Sequence, residues 1–317
     1  MLKNRVLAAS LALILASPLA AQAQTSLHRI VVFGTSLSDP GNAFALLGAT
    51  NTPPDYSVDP FLVPDRPYAR GGQHFSNGAT WIEQYAGPRG LSANAQPAFR
   101  DAGAKASNYA VGGARAREVP DNVHLSLQVA TFLHDSGGAA PSDALYVIEM
   151  GGNDLRDALL AGPVGGAAII EDAITSIAAN IGTLYAAGAR RFLVWNAPDL
   201  GLTPAIRAFD VLFPGTAAAA TGASQLFNSH LDFALGMLNA DLPGIQFVRL
   251  DVFQKLHAVV GAPEDFGLTE VATACITPSV RPFACTNPDE HLFWDGIHPT
   301  RAVHAILAHE AAAVLGQ

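Results

Sequence analysis

The sequence predicts an α/β fold, a three-layer α/β/α sandwich with a mostly parallel central sheet. Short β-branched apolar runs alternate along the chain with longer segments of helical periodicity. The first two of these runs stop at glycines, and 50% of the residues are hydrophobic, enough for one large core. Strands that alternate with helices in this way indicate βαβ units and a doubly wound sheet.

Four short, nearly uninterrupted apolar runs are the predicted strands. They cover residues 29–33, 144–150, 191–195 and 245–250. Runs of this length without polar alternation suit strands buried on both faces, as in a parallel sheet.

Three helices are predicted, over residues 167–187, 217–240 and 300–315. In the first, Ile170, Ile174, Ile177 and Ile181 recur at three- and four-residue steps, and Gly188 follows where a helix favours a left-handed residue. Residues 50–73, rich in Pro, Asp, Gly and aromatic side chains, predict a long surface loop, and loops of this length are often functional.

The N-terminus has the pattern of a secretory signal peptide over residues 1–23. Lys3 and Arg5 precede an uncharged apolar run over residues 6–16, and Ala21-Gln22-Ala23 is a small-x-small cleavage site. The apolar run is too short to span a bilayer comfortably. We therefore expect export to the periplasm or the medium and no integral membrane segment in the mature chain. Residues 24–317 show no repeat or linker and predict a single domain.

Charge and cysteine content narrow the function classes. A net charge of −9 without basic runs argues against binding of nucleic acid or an anionic membrane as the main role. The two cysteines, Cys275 and Cys285, lie in one loop, and an oxidising compartment favours a disulfide between them. The alternative, a metal pair, lacks further cysteines or nearby spaced histidines, and we expect no metal.

The first strand is followed by GTSLSDPGN, in which Ser36 stands on a tight turn before a helix. A serine there is exposed to ligand and near positive backbone dipoles, which suits a nucleophile. The alternative is that Ser36, Ser38 or Asp39 caps the next helix, and this motif alone favours the cap.

Two further motifs carry groups that would complete such a site. Asn153, in GGND after the second predicted strand, can offer its amide to a developing oxyanion, or it can end the strand in an Asx turn. Asp295 and His298, in WDGIHPT, can pair so that the carboxylate orients the imidazole as a general base. The alternatives are a turn-forming Asp beside an ordinary histidine, or a partial metal site.

Together these motifs resemble a known family. FGTSLSDPGN, NYAVGGARA, GGND and WDGIHPT look like the four blocks of the GDSL-type, or SGNH, hydrolases, in the right order. HFSNGATW is similar to a segment of the branch that includes plant lipases and bacterial secreted esterases. The resemblance covers essentially the whole mature chain and implies a flavodoxin-like sheet, hydrolysis of carboxylic esters and no cofactor.

Carried over residue by residue, the resemblance makes Ser36 the nucleophile and Asp295 and His298 its partners. The oxyanion donors would be the backbone N–H groups of Ser36 and Gly113, with the neighbouring Gly112 as an alternative register, and the side chain of Asn153. A glycine lets its N–H approach the substrate without a Cβ in the way.

One position departs from the family pattern. The family usually has Asp immediately before the nucleophile, where this chain has Thr35. That Asp is not a triad member, so we expect retained activity and changed hydrogen bonding in the turn. The chain has no G-x-S-x-G, which argues against an α/β-hydrolase nucleophile elbow.

The expected function is that of a secreted esterase or lipase acting on short- to medium-chain acyl esters or lipids. A carbohydrate O-acetyl esterase and a catalytically silent binding module are the alternatives. Trp294 beside the catalytic Asp is a candidate contact for a cationic alcohol, or else a core residue. Five aromatic residues either wall an acyl pocket or, as favoured for most, anchor the long loop to the core: Tyr56, Phe61, Tyr68, Phe75 and Trp81.

Overall fold

A computed structural model describes residues 27–100 and 105–316. The signal peptide predicted over residues 1–23 lies outside the described residues. The central sheet is parallel, in the order β1-β2-β3-β4, and a separate parallel pair joins β5 to β6. The strands are β1 Ile30–Gly34, β2 Leu145–Glu149, β3 Arg191–Trp195, β4 Gln246–Leu250, β5 Glu270–Ala274 and β6 His291–Phe293. The four predicted strands are thus confirmed.

A short edge segment, residues 107–111, extends the sheet on the free side of β1. Val32 N donates to Ser107 O at 2.9 Å, and Tyr109 N donates to Val32 O at 2.8 Å. With this segment the second strand in sequence lies outside the first, which is the flavodoxin-like strand order. The sequence did not predict it because SNYAV is neither an apolar run nor an alternating one.

Eight α-helices surround the sheet among the described residues. They are α1 Asn42–Leu47, α2 Trp81–Ala86, α3 Leu125–Asp135, α4 Gly152–Ala186, α5 Pro204–Leu212, α6 Thr216–Asp241, α7 Val252–Gly261 and α8 Arg301–Val314. The three predicted helices are α4, α6 and α8. Helix α4 begins earlier than predicted, because a first helical piece joins it across a break at Gly162 and Pro163.

The two faces of the sheet pack against different helical layers. Val31 and Phe33 of β1 belong to the core shared with α3, α4 and α6. Ile30 and Val32 point the other way and join the core shared with α2 and α8. Since successive strand residues alternate between faces, both helical layers need an apolar β1, and this explains its uninterrupted apolar sequence.

Helix α4 is long and apolar enough to cross a membrane by length and composition alone, with a mean hydropathy of 1.3 in its most apolar window. This is weak evidence for a span, because core helices pass the same test. Ile170, Ile174, Ile177 and Ile181 of α4 are buried in the core of the protein.

The disulfide lies in the connection between β5 and β6, and β6 leads into the turn formed by residues 294–298. Cys275 and Cys285 are bonded, as expected for an oxidising compartment. Cys275 N donates to Phe293 O at 3.0 Å, so the disulfide loop is joined directly to the strand that precedes the turn.

The long loop over residues 50–73 contains no helix and no extended strand. Its residues Tyr56 and Tyr68 are 1% and 0% exposed and pack with Trp294 in a small separate core. The loop is therefore held against the turn formed by residues 294–298, as the anchoring interpretation of its aromatic residues expected.

Candidate active site

Ser36, His298 and Asp295 form one continuous hydrogen-bonded chain. Ser36 lies in the turn directly after β1, and its Oγ is 2.8 Å from Nε2 of His298. On the other side of the ring, His298 Nδ1 is 2.8 Å from Asp295 Oδ2. A proton on Nδ1 satisfies the carboxylate and leaves Nε2 free to accept the proton of the serine hydroxyl.

The Asp295 carboxylate is fully buried and held by several donors. Its Oδ1 accepts the backbone N–H groups of Ile297 and His298 at 2.9 and 2.7 Å. Its Oδ2 accepts the Tyr68 hydroxyl at 2.9 Å as well as the imidazole. Burial and the nearby Asp295 carboxylate raise the pKa of Tyr68, so this hydroxyl keeps its proton and acts as a donor.

The contact of Tyr68 with Asp295 was not predicted from the sequence, because the two residues are far apart along the chain. The contact of Phe75 with His298, whose ring centroids are 5.3 Å apart, was not predicted either. A Cβ at Gly112 would lie 2.1 Å from Phe75 Cε2, so glycine at 112 makes room for the ring that packs on the histidine.

The two glycines of the NYAVGGARA motif have different roles in the structure. The N–H of Gly112 donates to Asp39 Oδ2 at 2.8 Å and is therefore occupied. Gly113 has a φ of 80°, and its N–H has no hydrogen-bond partner among the described residues. The free donor is thus at Gly113, and the left-handed backbone explains the preference for glycine there.

Asp39 connects the turn that contains Ser36 to the turn at Gly112 and Gly113. Besides Gly112 it accepts the N–H groups of Gly41, Asn42 and Ala43 at 2.7, 2.6 and 3.0 Å. Burial raises the pKa of Asp39 to about 6, against the lowering effect of these hydrogen bonds. The helix-capping interpretation therefore applies to Asp39, and Ser36 remains available to His298.

Asn153 stands in the first turn of α4 and lines the same pocket as Ser36 and His298, a space of about 540 Å³. Its Nδ2 donates to Ala114 O at 2.9 Å. An amide NH₂ has two hydrogens, so this bond orients the group and leaves one N–H for a ligand.

The turn around Thr35 is held by a carboxylate from a different strand. Thr35 N and Thr35 Oγ1 each donate to Glu149, the last residue of β2, at 2.9 Å. Burial raises the pKa of Glu149 to about 7, while the hydrogen bonds from Thr35 and Ser38 lower it. The sequence signal for this contact is the glutamate inside the apolar run ALYVIEM, and it did not enter the prediction of the site.

An apolar cleft of about 600 Å³ lies between α7 and α8 and adjoins the pocket lined by Ser36 and His298. Five residues line both spaces: Leu37, Trp195, Pro198, Leu200 and Ile297. The far part of the cleft is formed by side chains such as Val259, Leu292 and Val303.

The structure does not bring Trp294 to either space. Its side chain is 0% exposed and packs edge-on against Tyr68, with ring centroids 5.7 Å apart. The interpretation of Trp294 as a substrate contact is therefore wrong, and the core interpretation holds. The five aromatic residues considered as pocket walls also do not line these two spaces.

Within residues 27–100 and 105–316, no group of three or more His, Cys, Asp or Glu side chains is arranged to hold a metal ion.

Comparisons with known proteins agree with these motifs. The profile of the GDSL-like Lipase/Acylhydrolase family matches residues 30–311. A GDSL esterase/lipase of Arabidopsis thaliana is 28% identical over 55% of this chain and 55% of its own length. A second one is 27% identical over 90% of this chain and 88% of its own. The chain thus spans little more than half the length of the first of these relatives.

A bacterial relative and a solved structure extend the comparison. A phosphatidylcholine-sterol acyltransferase of Aeromonas hydrophila is 27% identical over 93% of this chain and 92% of its own length. A GDSL-like lipase of Parabacteroides merdae has a TM-score of 0.44 and 14% identity, over 92% of this chain and 98% of its own. Since the family profile covers nearly all of the described chain, the protein belongs to the GDSL-like lipase/acylhydrolase family.

Proposed function

We propose that this protein hydrolyses carboxylic esters, with Ser36 as nucleophile, His298 as general base and acid, and Asp295 as the group that orients the histidine. His298 Nε2 takes the hydroxyl proton while Ser36 Oγ attacks the ester carbonyl. The same nitrogen then protonates the departing alcohol. Water repeats the sequence on the acyl-enzyme and releases the acid.

The tetrahedral intermediate needs donors for its oxyanion. The free N–H of Gly113, the second N–H of Asn153 Nδ2 and the backbone N–H of Ser36 are the proposed donors. The bond between Asp39 and Gly112 supports Gly113 rather than Gly112 for this role.

The observation that carries the proposal is the pair of 2.8 Å contacts on the two nitrogens of His298. The test is covalent labelling with an organophosphonate ester, followed by mapping of the modified residue. We expect the label on Ser36, and Ser36→Ala should remain folded and lose both labelling and turnover. A label at any other residue contradicts the proposed mechanism.

We propose an ester with a short- to medium-length acyl chain as the substrate, because the apolar cleft adjoins the pocket of Ser36. At about 25 cal/mol per Å² of apolar surface buried, each additional methylene that enters such a cleft favours binding by about 0.8 kcal/mol. Rates on p-nitrophenyl esters should therefore rise with acyl length before they fall. A preference for acetyl esters, and for acetylated glycans above all, would instead favour a carbohydrate O-acetyl esterase.

We also propose that the protein is exported. The signal-peptide pattern of residues 1–23 supports export, and the disulfide between Cys275 and Cys285 is compatible with an oxidising compartment.

A further inference from the structure

Arg156 is a cation in the catalytic pocket that the proposed hydrolysis does not use. It lies on α4 one helical turn after Asn153 and lines the pocket that contains Ser36 and His298. Its side chain is half-buried. Apart from the histidine, it is the one basic side chain among the described residues that line this pocket.

The guanidinium of Arg156 has no hydrogen bond and no ion pair with any described residue. The acidic side chains nearest to it along α4 are already engaged. Asp157 accepts two hydrogen bonds from Arg115, one of them at 3.0 Å from Nη2, and a further one from Arg117. Asp154 accepts the N–H of Ala116 at 2.8 Å and lies 3.5 Å from Arg117 Nε.

An unpaired half-buried guanidinium is unfavourable for the empty protein. Burial and the like charge of Arg115 lower the pKa of Arg156, while the charges of Asp59, Asp157 and Asp295 oppose that shift without forming an ion pair with it. A guanidinium has five N–H donors in a planar fork that fits carboxylate and phosphate groups. A bound anion would offset the loss of solvation.

The apolar cleft determines where a charged group on the substrate can lie. The side chains that line the cleft are almost all hydrocarbon, and its one cationic residue, Lys255, is paired with Glu310 at 2.7 Å. The hydrocarbon part of an ester can enter the cleft, whereas a charged part stays in the polar pocket beside Arg156.

From these contacts we propose that Arg156 binds an anionic oxygen-acid group, a phosphate or a carboxylate, on the ester that Ser36 attacks. The substrate class is then an amphiphilic anionic ester, with its acyl chain in the apolar cleft and its negative charge on Arg156. This assignment rests on the proposed function, because it assumes that the pocket is the catalytic one.

Three esters that share a hexanoyl group test the assignment: the neutral 1-hexanoylglycerol, 1-hexanoylglycerol 3-phosphate, and the hexanoyl ester of lactate. The measured quantity is kcat/KM for each anionic ester divided by kcat/KM for the neutral one. In Arg156→Gln we expect the ratio to fall by about 10- to 100-fold for the anion that binds, mainly through KM. Arg156→Lys should retain part of the preference, because it keeps the charge and loses the fork.

Arg249→Gln is the matched control. Arg249 is an exposed arginine on β4 that is paired with Asp232, and its removal changes the net charge equally without touching the pocket. Its ratios should equal those of the wild type. A fall confined to the phosphate ester identifies a phosphate, and a fall confined to the lactate ester identifies a carboxylate.

Direct binding separates this inference from the proposed function. The Kd of 1-hexanoylglycerol 3-phosphate and of hexanoyl lactate is measured by calorimetry in Ser36→Ala and in the double variant that also carries Arg156→Gln. An active, phosphonate-labelled enzyme whose ratios and Kd values do not change on Arg156→Gln overturns the anion site alone. If labelling and turnover are absent but Arg156→Gln still binds the anion more weakly, the proposed ester hydrolysis is wrong and the anion site is supported.

Discussion

At the scale of single residues, Asn153 gives a prediction about kcat. Its amide is oriented by Ala114 O and keeps one N–H free in the pocket that Ser36 also lines. If that N–H binds the oxyanion, Asn153→Ala lowers kcat by about 100- to 1,000-fold with little change in KM, because the interaction strengthens in the transition state. Steady-state kinetics on a short-chain p-nitrophenyl ester measure both constants. The exposed Asn287→Ala is the control, and wild-type kcat in Asn153→Ala would contradict the role.

Glu149 gives a prediction about pH and stability. Burial raises its pKa to about 7 from an ordinary value of 4.5, so the folded protein holds this proton more tightly than the unfolded chain. The folded state is therefore relatively favoured below about pH 4.5 and loses that advantage as the pH rises to about 7. Between about pH 4.5 and 7, the free energy of unfolding of the wild type should therefore fall by roughly 3 kcal/mol relative to that of Glu149→Gln.

Urea unfolding of the two proteins at a series of pH values measures this difference. The free energy of unfolding of the wild type minus that of Glu149→Gln should decline between about pH 4.5 and 7. Glu118→Gln is the control, because it shows how the free energy of unfolding responds to the loss of an exposed carboxylate. Parallel curves for wild type and Glu149→Gln would mean that folding does not raise the pKa of Glu149, because the hydrogen bonds from Thr35 and Ser38 offset the effect of burial.

The sequence motifs located Ser36, Asn153, Asp295 and His298, since each follows a strand or precedes a helix whose pattern is clear. Tyr68 contacts Asp295, and Glu149 contacts Thr35, only because distant segments pack together, and short motifs do not record such contacts. The prediction that Trp294 contacts the substrate failed because a position next to Asp295 in the chain does not determine the direction in which the indole points.

At the scale of elements, the loop over residues 50–73 acts as a clamp on the turn formed by residues 294–298. Gly296 N donates to Leu62 O at 2.9 Å, and a Cβ at Gly296 would lie 2.1 Å from Phe61 O. Tyr68 adds its hydroxyl to Asp295. These contacts hold the loop against the turn, and the close approach of Phe61 O explains why a glycine is needed at position 296.

Tyr68→Phe tests the clamp with almost no change in volume. Loss of a hydrogen bond to a buried carboxylate should lower the free energy of unfolding by about 1.5–3 kcal/mol. We expect kcat to fall by roughly tenfold, because Asp295 keeps its other donors but holds His298 less firmly. Chemical denaturation and the pH dependence of kcat measure the two effects. Tyr185→Phe is the control and should leave kcat unchanged. The hydroxyl of Tyr185 donates to Pro243 O in an exposed bond away from the site.

Regular elements with a strong period were predictable, and irregular ones were not. Strands β1 to β3 are largely apolar because helices cover both faces of the sheet, and that burial is visible in the sequence. Strand β4 is only partly buried, with Gln246 and Arg249 exposed, so the expectation of burial on both faces was wrong for this strand. The edge segment over residues 107–111 pairs with β1 on one side and only with the short stretch at Pro97 on the other. It also carries polar residues that bond to loops, so its sequence resembles a loop.

At the scale of the whole molecule, the site joins two separately supported parts. Ser36, Gly113 and Asn153 follow β1, the edge segment and β2 at one edge of the central sheet. Asp295 and His298 come instead from the turn between β6 and α8, outside that sheet. Their alignment therefore depends on how firmly the β5–β6 unit and its disulfide are held.

The disulfide gives a prediction about stability. Replacement of Cys275 and Cys285 by serine reopens a loop of sequence separation 10 in the unfolded state. By the chain-entropy relation this lowers the free energy of unfolding by about 2.5–3 kcal/mol at most. Dithiothreitol should destabilise the wild type by a similar amount and leave the double variant unchanged. Equal stability of oxidised wild type and double variant would show that the packing of β5 and β6 alone holds the turn formed by residues 294–298.

Export gives the last prediction, and the same two cysteines report on it. If the chain is exported, the periplasmic or secreted protein has the mass expected for cleavage after Ala23 and no free thiol. A variant without residues 2–23 should instead stay in the cytoplasm with reduced cysteines.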